Sequence, residues 1–275
     1  MTLMFDVPTS LSPSRVESFL SCPMAFRFSS IEQLPEPPAE HTTKGSLVHR
    51  ALELLFTEPN DQRDRTAARL AFDRAVAEFR TDPEFTGLRL DAAQADAFVA
   101  DAWVLVEKYF DMEDPRAVRD IGLELRLAAS VGGLELRGII DRLELDTEGR
   151  LVVTDYKTGR APGPKFQQDR MNGVHFYSFL CQEVLGERPA EVRLMYVRDG
   201  RTISATPTAQ SVRFLTTRTT AVWQAIEKAC TTGDFQPKQG PLCSYCSFRD
   251  WCPAFGGSPD RARDEAPARY AALTT

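Results

Sequence analysis

Three segments of alternating apolar residues follow one another between Ile121 and Lys157, and this run limits the fold more than any other feature of the chain. Leu123, Leu125 and Leu127 alternate with polar residues, which is the period of a half-buried strand. Gly132-Gly133 supplies a turn, residues 134–145 a second strand, Asp146-Thr147-Glu148-Gly149 another turn, and residues 151–157 a third strand. Helical periods flank this meander. Ser12 reads as a helix cap with Pro13 in the first turn, and Val16, Phe19 and Leu20 point inward until Cys22-Pro23. The proline run from Leu34 to Pro38 is a loop, and amphipathic helices are predicted over residues 46–56, 65–79 and 92–109. Beyond the meander the pattern predicts a loop at 161–164, a helix over 174–185, a strand over 191–197 and a helix over 211–229. Helices before and after a three-stranded meander make a mixed α/β domain with an N-terminal helical portion. No internal repeat is present, and after Pro253 the Ala, Arg, Pro and Asp content suggests a loosely held tail.

Charge and composition narrow the function. The formal net charge is −6 over 275 residues, which argues against a protein that coats DNA nonspecifically but leaves room for a local basic groove. The first residues lack the basic segment and apolar run of a secretory signal, and no apolar stretch reaches the roughly 20 residues of a membrane helix. The expectation is a soluble cytoplasmic chain, in which six cysteines point to metal or cluster ligation or to burial rather than to disulfides. No phosphate-binding GxxxxGK[ST] loop is present, so no nucleotide-driven motor is recognisable.

Strand alternation places the chemistry. In the segment from Leu151 to Lys157, Asp155 and Lys157 share one face. If the turn from Asp146 to Gly149 is tight, Leu145 pairs with Arg150 or its neighbour, and Asp141 falls opposite Thr154 or Asp155. Two carboxylates close together repel, and a divalent cation removes that conflict because hard cations prefer carboxylate oxygen. Mg²⁺ or Mn²⁺ held there lowers the pKa of a bound water and clamps a phosphate, while Lys157 orients water or offsets developing charge. The plainer alternative is a solvated surface ion pair worth under about 1 kcal/mol. Ile139, Ile140, Val152 and Val153 weigh against it, because they mark these strands as buried, where unpaired acids are unfavourable.

The cysteines form a second constellation. Cys243-x2-Cys246-x5-Cys252 gathers three thiols, with Phe248 and Trp251 among them, and Cys22-Pro23 offers a fourth from the other end of the chain. Such spacing suits Zn²⁺ or an iron–sulfur cluster, with zinc the commoner outcome on ligand type alone. Either would clip the two ends of the chain together. Cys181 and Cys230 lie in apolar helical patterns and are expected as buried thiols. His41 and His175 are expected to be structural or solvated.

Gly138-Ile139-Ile140-Asp141-Arg142 followed by Asp155-Tyr156-Lys157-Thr158-Gly159 resembles the RecB-type branch of the PD-(D/E)XK nuclease superfamily, whose sequences read G-x-x-D-R and then D-Y-K-T-G. Gly45-Ser46-Leu47-Val48-His49 and the segment from Ser12 to Phe28 are similar to that branch as well. The resemblance implies a restriction-endonuclease-like core, a mixed sheet flanked by helices, within one domain over residues 1–255: a mainly helical portion at 1–115, the nuclease core at 116–230, the cysteine segment at 231–255 and a flexible tail at 256–275. It implies that His49, Asp141 and Asp155 bind metal, that Lys157 assists catalysis with Asp141 and Asp155, and that Glu124 and Tyr177 are auxiliary. It also implies a [4Fe–4S] cluster on Cys22, Cys243, Cys246 and Cys252, with Zn²⁺ as the alternative. The activity implied is metal-dependent hydrolysis of DNA phosphodiesters, as an exonuclease, in repair or recombination, on DNA ends or single strands and alongside a helicase or other repair subunit. One departure stands out. Tyr177 fits the tyrosine of the branch's Q-x-x-x-Y motif, but Gly173 stands in place of its glutamine. A noncatalytic DNA-binding subunit of a repair complex, or more remotely a zinc-bound RNA-processing nuclease, would also fit. Arg27, Arg50, Arg142 and Lys165 are candidates to line a DNA path.

Overall fold

In chain order the main elements of the computed structural model are β1 (Ser10–Leu11), α1 (Pro13–Ser21), α2 (Pro23–Phe26), α3 (Glu40–Phe56), α4 (Arg65–Phe79), α5 (Pro83–Thr86), α6 (Ala92–Tyr109), β2 (Arg119–Val131), β3 (Leu134–Leu145), β4 (Leu151–Lys157), α7 (Pro164–Leu185), β5 (Glu191–Tyr196), β6 (Arg201–Ala205), α8 (Ala209–Thr232) and α9 (Ala262–Thr274). The structure describes residues 4–274. The mixed sheet flanked by helices is the α/β class that the meander and its helical flanks predict. Two compact units share the chain, one from residues 38–127 with 138–212 and one from residues 4–37, 128–137 and 213–274.

The first of these units carries the sheet's central strands. α3, α4 and α6 bury one shared apolar core, in which Leu52, Leu55, Phe72, Phe98 and Val106 meet Tyr156, Met195 and Val197 from the sheet. Each such side chain contributes about 1.5–3 kcal/mol when fully buried. Asp64 caps α4 by accepting from the Ala67 amide at 2.8 Å, and Asp91 with Gln94 forms a reciprocal capping box on α6. The hairpin turn is fixed by Asp146, whose Oδ1 accepts the amides of Glu148 and Arg150, and by Gly149 at φ +78°. That turn sets the antiparallel register from Leu145↔Leu151 to Arg142↔Thr154. β4 and β5 run parallel, so a crossover is required, and α7 supplies it while packing on β5 and β6.

Several bounds differ from the sequence expectation. α3 starts at Glu40 rather than residue 46, and α7 starts at Pro164, ten residues before the predicted 174. Pro164 at the first turn after Gly163 is a good helix start, but residues 165–172 carry no apolar stripe that would announce it. β6 was not anticipated; it is a short polar edge strand paired antiparallel with β5. Ile139, taken as buried, is 39% exposed.

In the other unit, β1 runs parallel to the start of β3 through Ser10↔Glu135 and Leu11↔Leu136. Ser12 caps α1, accepting from Arg15 N–H at 3.3 Å, and Phe19 meets Phe26 edge-to-face at 5.3 Å. α8 buries Ile226, Ala229 and Cys230. Where composition suggests a loose tail after Pro253, residues Ala262–Thr274 form α9; Ala262 and Ala266 are buried, and Glu265 accepts a hydrogen bond from the Trp251 indole at 2.8 Å. Among the described residues, no helix is long and apolar enough to cross a membrane.

Candidate active site

The paired register of β3 and β4 reaches Arg142↔Thr154, so one further step sets Asp141 opposite Asp155, one of the two partners that the hairpin count allows. There the Asp141 carboxylate takes over from the backbone ladder. Its Oδ2 accepts the Tyr156 amide at 2.6 Å. The neighbouring Tyr156 carbonyl lies 3.0 Å from His49 Nε2 on α3. A carbonyl only accepts, so His49 donates from Nε2, and its Nδ1 faces Asp141 Oδ2 at 3.5 Å. Gly45, one turn earlier on α3, permits this approach, because a Cβ there would lie 3.2 Å from Thr158 Oγ1. Glu53, which might have paired with His49, is engaged by Arg50 at 2.8 Å instead.

Glu124 enters from β2 with φ +44°, a left-handed conformation that a glutamate in a strand adopts only at a free-energy penalty of order 1–3 kcal/mol. One ligand atom each from His49, Glu124 and Asp141 lies within 4.8 Å of the other two, the spacing of a metal-binding triad. Asp155 stands beside this triad rather than within it. Its Oδ1 accepts from the Tyr177 hydroxyl of α7 at 3.0 Å, and its Oδ2 faces the Lys157 ammonium at 2.5 Å.

The electrostatics describe a site short of positive charge. Burial and then the nearby Asp141 push the Glu124 carboxyl up. Burial likewise raises Asp155 despite the opposing Lys157 charge. At Asp141 burial acts upward too, but His49 and Lys157 outweigh it and hold the carboxyl below its usual range. His49 is raised, burial being overcome by its contact with Asp141. Three carboxylates and a histidine balanced by one lysine suit a divalent cation, whose charge removes their mutual repulsion. The Lys157 side chain is 43% exposed while its ammonium is paired with the buried Asp155 carboxylate, which places the cation at the rim of the site.

The basic residues expected along a DNA path divide differently. Arg142 is fully buried in an ion-pair network with Glu113 and Glu144, and Arg27 is buried against Glu32 and Phe5; neither can line an open path. The alternation that aimed Asp141 at the site turns its neighbour Arg142 away. Arg50 is held by Glu53 and Glu78, while Lys165 is exposed. His41 is exposed and His175 half-buried, in keeping with their bland assignment. Gly173 lies in α7 one turn before Tyr177, so the tyrosine reaches Asp155 without the motif's glutamine. Sequence reasoning missed the anchoring role of the Tyr156 backbone, which no side-chain pattern announces.

The cysteines gather in the other unit. Cys22, Cys243, Cys246 and Cys252 line one pocket with Phe28, Phe248 and Phe255. Backbone amides point at two of the sulfurs: Lys238 N–H donates to Cys22 Sγ at 3.4 Å and Gly240 N–H to Cys243 Sγ at 3.3 Å, while the amides of Phe248 and Ala254 lie near Cys246 and Cys252 and favour their thiolates. Burial raises the Cys246 and Cys252 thiols. Four sulfur donors in an apolar pocket with amides directed at them fit a thiolate-bound metal centre. Cys181 and Cys230 are buried, as their helical pattern predicts.

The family model of the PD-(D/E)XK nuclease superfamily matches residues 10–253. The chain is similar to the Gene 69 protein of Mycobacterium phage L5, at 23% identity over 92% of this chain and 100% of that one. It is similar also to the Gene 69 protein of Mycobacterium phage D29, at 21% identity over 89% and 96%. Among solved structures, a candidate exonuclease from Eubacterium rectale shares the fold with a TM-score of 0.53 at 10% identity, over 86% of this chain and 87% of that one.

Proposed function

The chain belongs to the PD-(D/E)XK nuclease superfamily, and from that premise we propose that it is a RecB-type, Mg²⁺- or Mn²⁺-dependent deoxyribonuclease, acting as an exonuclease in DNA repair or recombination together with a helicase or other repair subunit. The observation that carries this reading is the convergence of His49, Glu124 and Asp141 within 4.8 Å beside the Asp155–Lys157 pair. His49 through Nδ1 and the two carboxylates would hold the cation, with Asp155 next to them. Bound there, the cation supplies Lewis-acid polarisation of the scissile phosphate and acidification of water. The chain's own groups do the rest. Lys157 offers its ammonium, held beside Asp155, to the phosphate and to charge developing on it. Tyr177 holds Asp155 by its hydroxyl, and the Tyr156 backbone orients both His49 and Asp141. The four-cysteine pocket is read as the seat of a structural [4Fe–4S] cluster, a choice that rests on the RecB resemblance and on the amides directed at the sulfurs.

The test is digestion of end-labelled linear single- and double-stranded DNA with and without Mg²⁺ or Mn²⁺. Asp155→Ala is expected to lower the metal-dependent rate at least about 100-fold. Equal cutting by the parent and the variant would remove the assignment. A noncatalytic DNA-binding subunit is the second reading, favoured by Gly173; DNA-end binding by the parent with no metal-stimulated cleavage would select it.

A further inference from the structure

The face of the β3–β4 hairpin turned away from the candidate site carries its most buried charge. Arg142 has no solvent exposure, yet its guanidinium is saturated: it pairs with both oxygens of Glu113, with Glu144, and with the Tyr109 and Tyr156 hydroxyls. The bond to the Tyr156 hydroxyl is 2.7 Å. Phe56 lies under the guanidinium at 4.6 Å. A buried cation so completely satisfied has one low-energy geometry, and loss of a partner leaves a buried donor or charge unsatisfied in an apolar setting.

Its two central members sit at the point where the strands part. Arg142 belongs to the last paired rung of the β3–β4 ladder, and Tyr156 lies two residues beyond Thr154 on β4. Past that rung the Tyr156 N–H and C=O no longer serve β3 backbone; they bond to Asp141 and His49. The diagonal Arg142–Tyr156 bond on one face thus fixes the Tyr156 backbone, whose N–H and C=O hold two site residues. Resting on the metal-dependent reading above, we propose that Arg142 and Tyr156 are positioning residues: their side-chain bond sets the separation of β3 and β4 and so holds His49 and Asp141 in metal-binding geometry.

The experiment uses the full chain and two readouts, Mn²⁺ affinity by calorimetry and the His49 imidazole ¹⁵N signals of the metal-free protein, which are tractable with three histidines. Tyr156→Phe removes only the hydroxyl, Arg142→Met removes the charge, and Phe72→Leu, in the α4 part of the core that Tyr156 also joins, loosens that core without touching the Arg142–Tyr156 bond and serves as a stability control. Tyr156→Phe is expected to weaken Mn²⁺ binding about 10-fold and Arg142→Met about 10- to 100-fold, the range seen when groups behind metal ligands are removed. Both should also erode the Nε2–H form of His49 before any metal is added. Phe72→Leu should lower the melting temperature and leave Mn²⁺ affinity within about twofold of the parent, since the Arg142–Tyr156 bond stays in place. Should Arg142→Met fail to fold, Tyr156→Phe decides. Parent-like affinity and an unchanged His49 tautomer in Tyr156→Phe would overturn the proposal alone, as would an equal loss of affinity in Phe72→Leu. If the parent binds no Mn²⁺, or binds it unchanged after His49→Ala, the metal reading itself fails and the positioning role falls with it.

Discussion

Asp155 holds a carboxyl at a position only 3% exposed, and its titration reports what the site lacks. Burial raises its folded pKa above the ordinary value of 3.8, so the folded chain keeps a proton that the unfolded chain has released. The stability this contributes is complete below the ordinary carboxylate pKa and is lost as pH rises through the folded value. In chelator, Asp155→Asn is therefore expected to flatten that decline, with unfolding free energy at neutral pH equal to the parent or up to about 1 kcal/mol above it. Urea unfolding across acid to neutral pH measures this, and a marked loss of stability in the variant would mean the Lys157 pairing dominates. The same variant should lose the stabilisation that added Mn²⁺ gives the parent. Asp141, Asp155 and Lys157 were legible in the sequence because a period of two fixes which side chains share a face and the Asp146 turn fixes the register. Glu124 could be named only as auxiliary, since its entry depends on a positive φ in β2 that no residue type announces for glutamate. Arg142 was misread for a different reason: a basic residue beside a site acid suggests substrate contact, until the alternation is applied to it as strictly as to its neighbour.

At the level of elements, the decisive contact is between β3 and α7. A Cβ at Gly138 would lie 2.8 Å from Leu180 Cδ1 and 3.4 Å from the Tyr177 ring, so glycine is what allows the helix this close. Leu180 is fully buried and cannot swing away without repacking. Gly138→Ala is expected to destabilise the chain by about 1–3 kcal/mol, with a loss of DNA cleavage as the Tyr177 hydroxyl leaves Asp155. Thermal unfolding and cleavage rates check both, and adding Leu180→Val should recover part of each if crowding is the cause. The glycine of the G-x-x-D-R motif thereby acquires a packing role. Helices with a continuous apolar stripe, such as α4 and α6, matched their predicted bounds, because the burying face writes the period into the sequence. The first three turns of α7 and the edge strand β6 escaped, since neither buries a regular apolar face.

At the scale of the whole chain, Cys22 and the Cys243–Cys252 segment come together across more than two hundred intervening residues. Closing so long a loop in the unfolded ensemble is entropically unfavourable, so a centre that bonds all four sulfurs in the folded state stabilises by joining the chain's two ends. The thiolates must also lose protons that burial holds on Cys246 and Cys252, which makes assembly of the centre more favourable as pH rises. Anaerobically purified protein is expected to be coloured and to contain iron; stoichiometric zinc with no visible absorbance would assign zinc in place of the cluster. In either case Cys22→Ala should remove the metal. Hydrogen exchange should then quicken in α1, α2 and the cysteine segment, while the α3–α4–α6 core, whose Leu52, Leu55 and Phe72 are buried without help from any cysteine, keeps its protection. Unaltered exchange around the pocket after loss of the metal would show that the aromatic contacts there, such as Phe28 against Phe248 at 5.2 Å, hold the ends together by themselves.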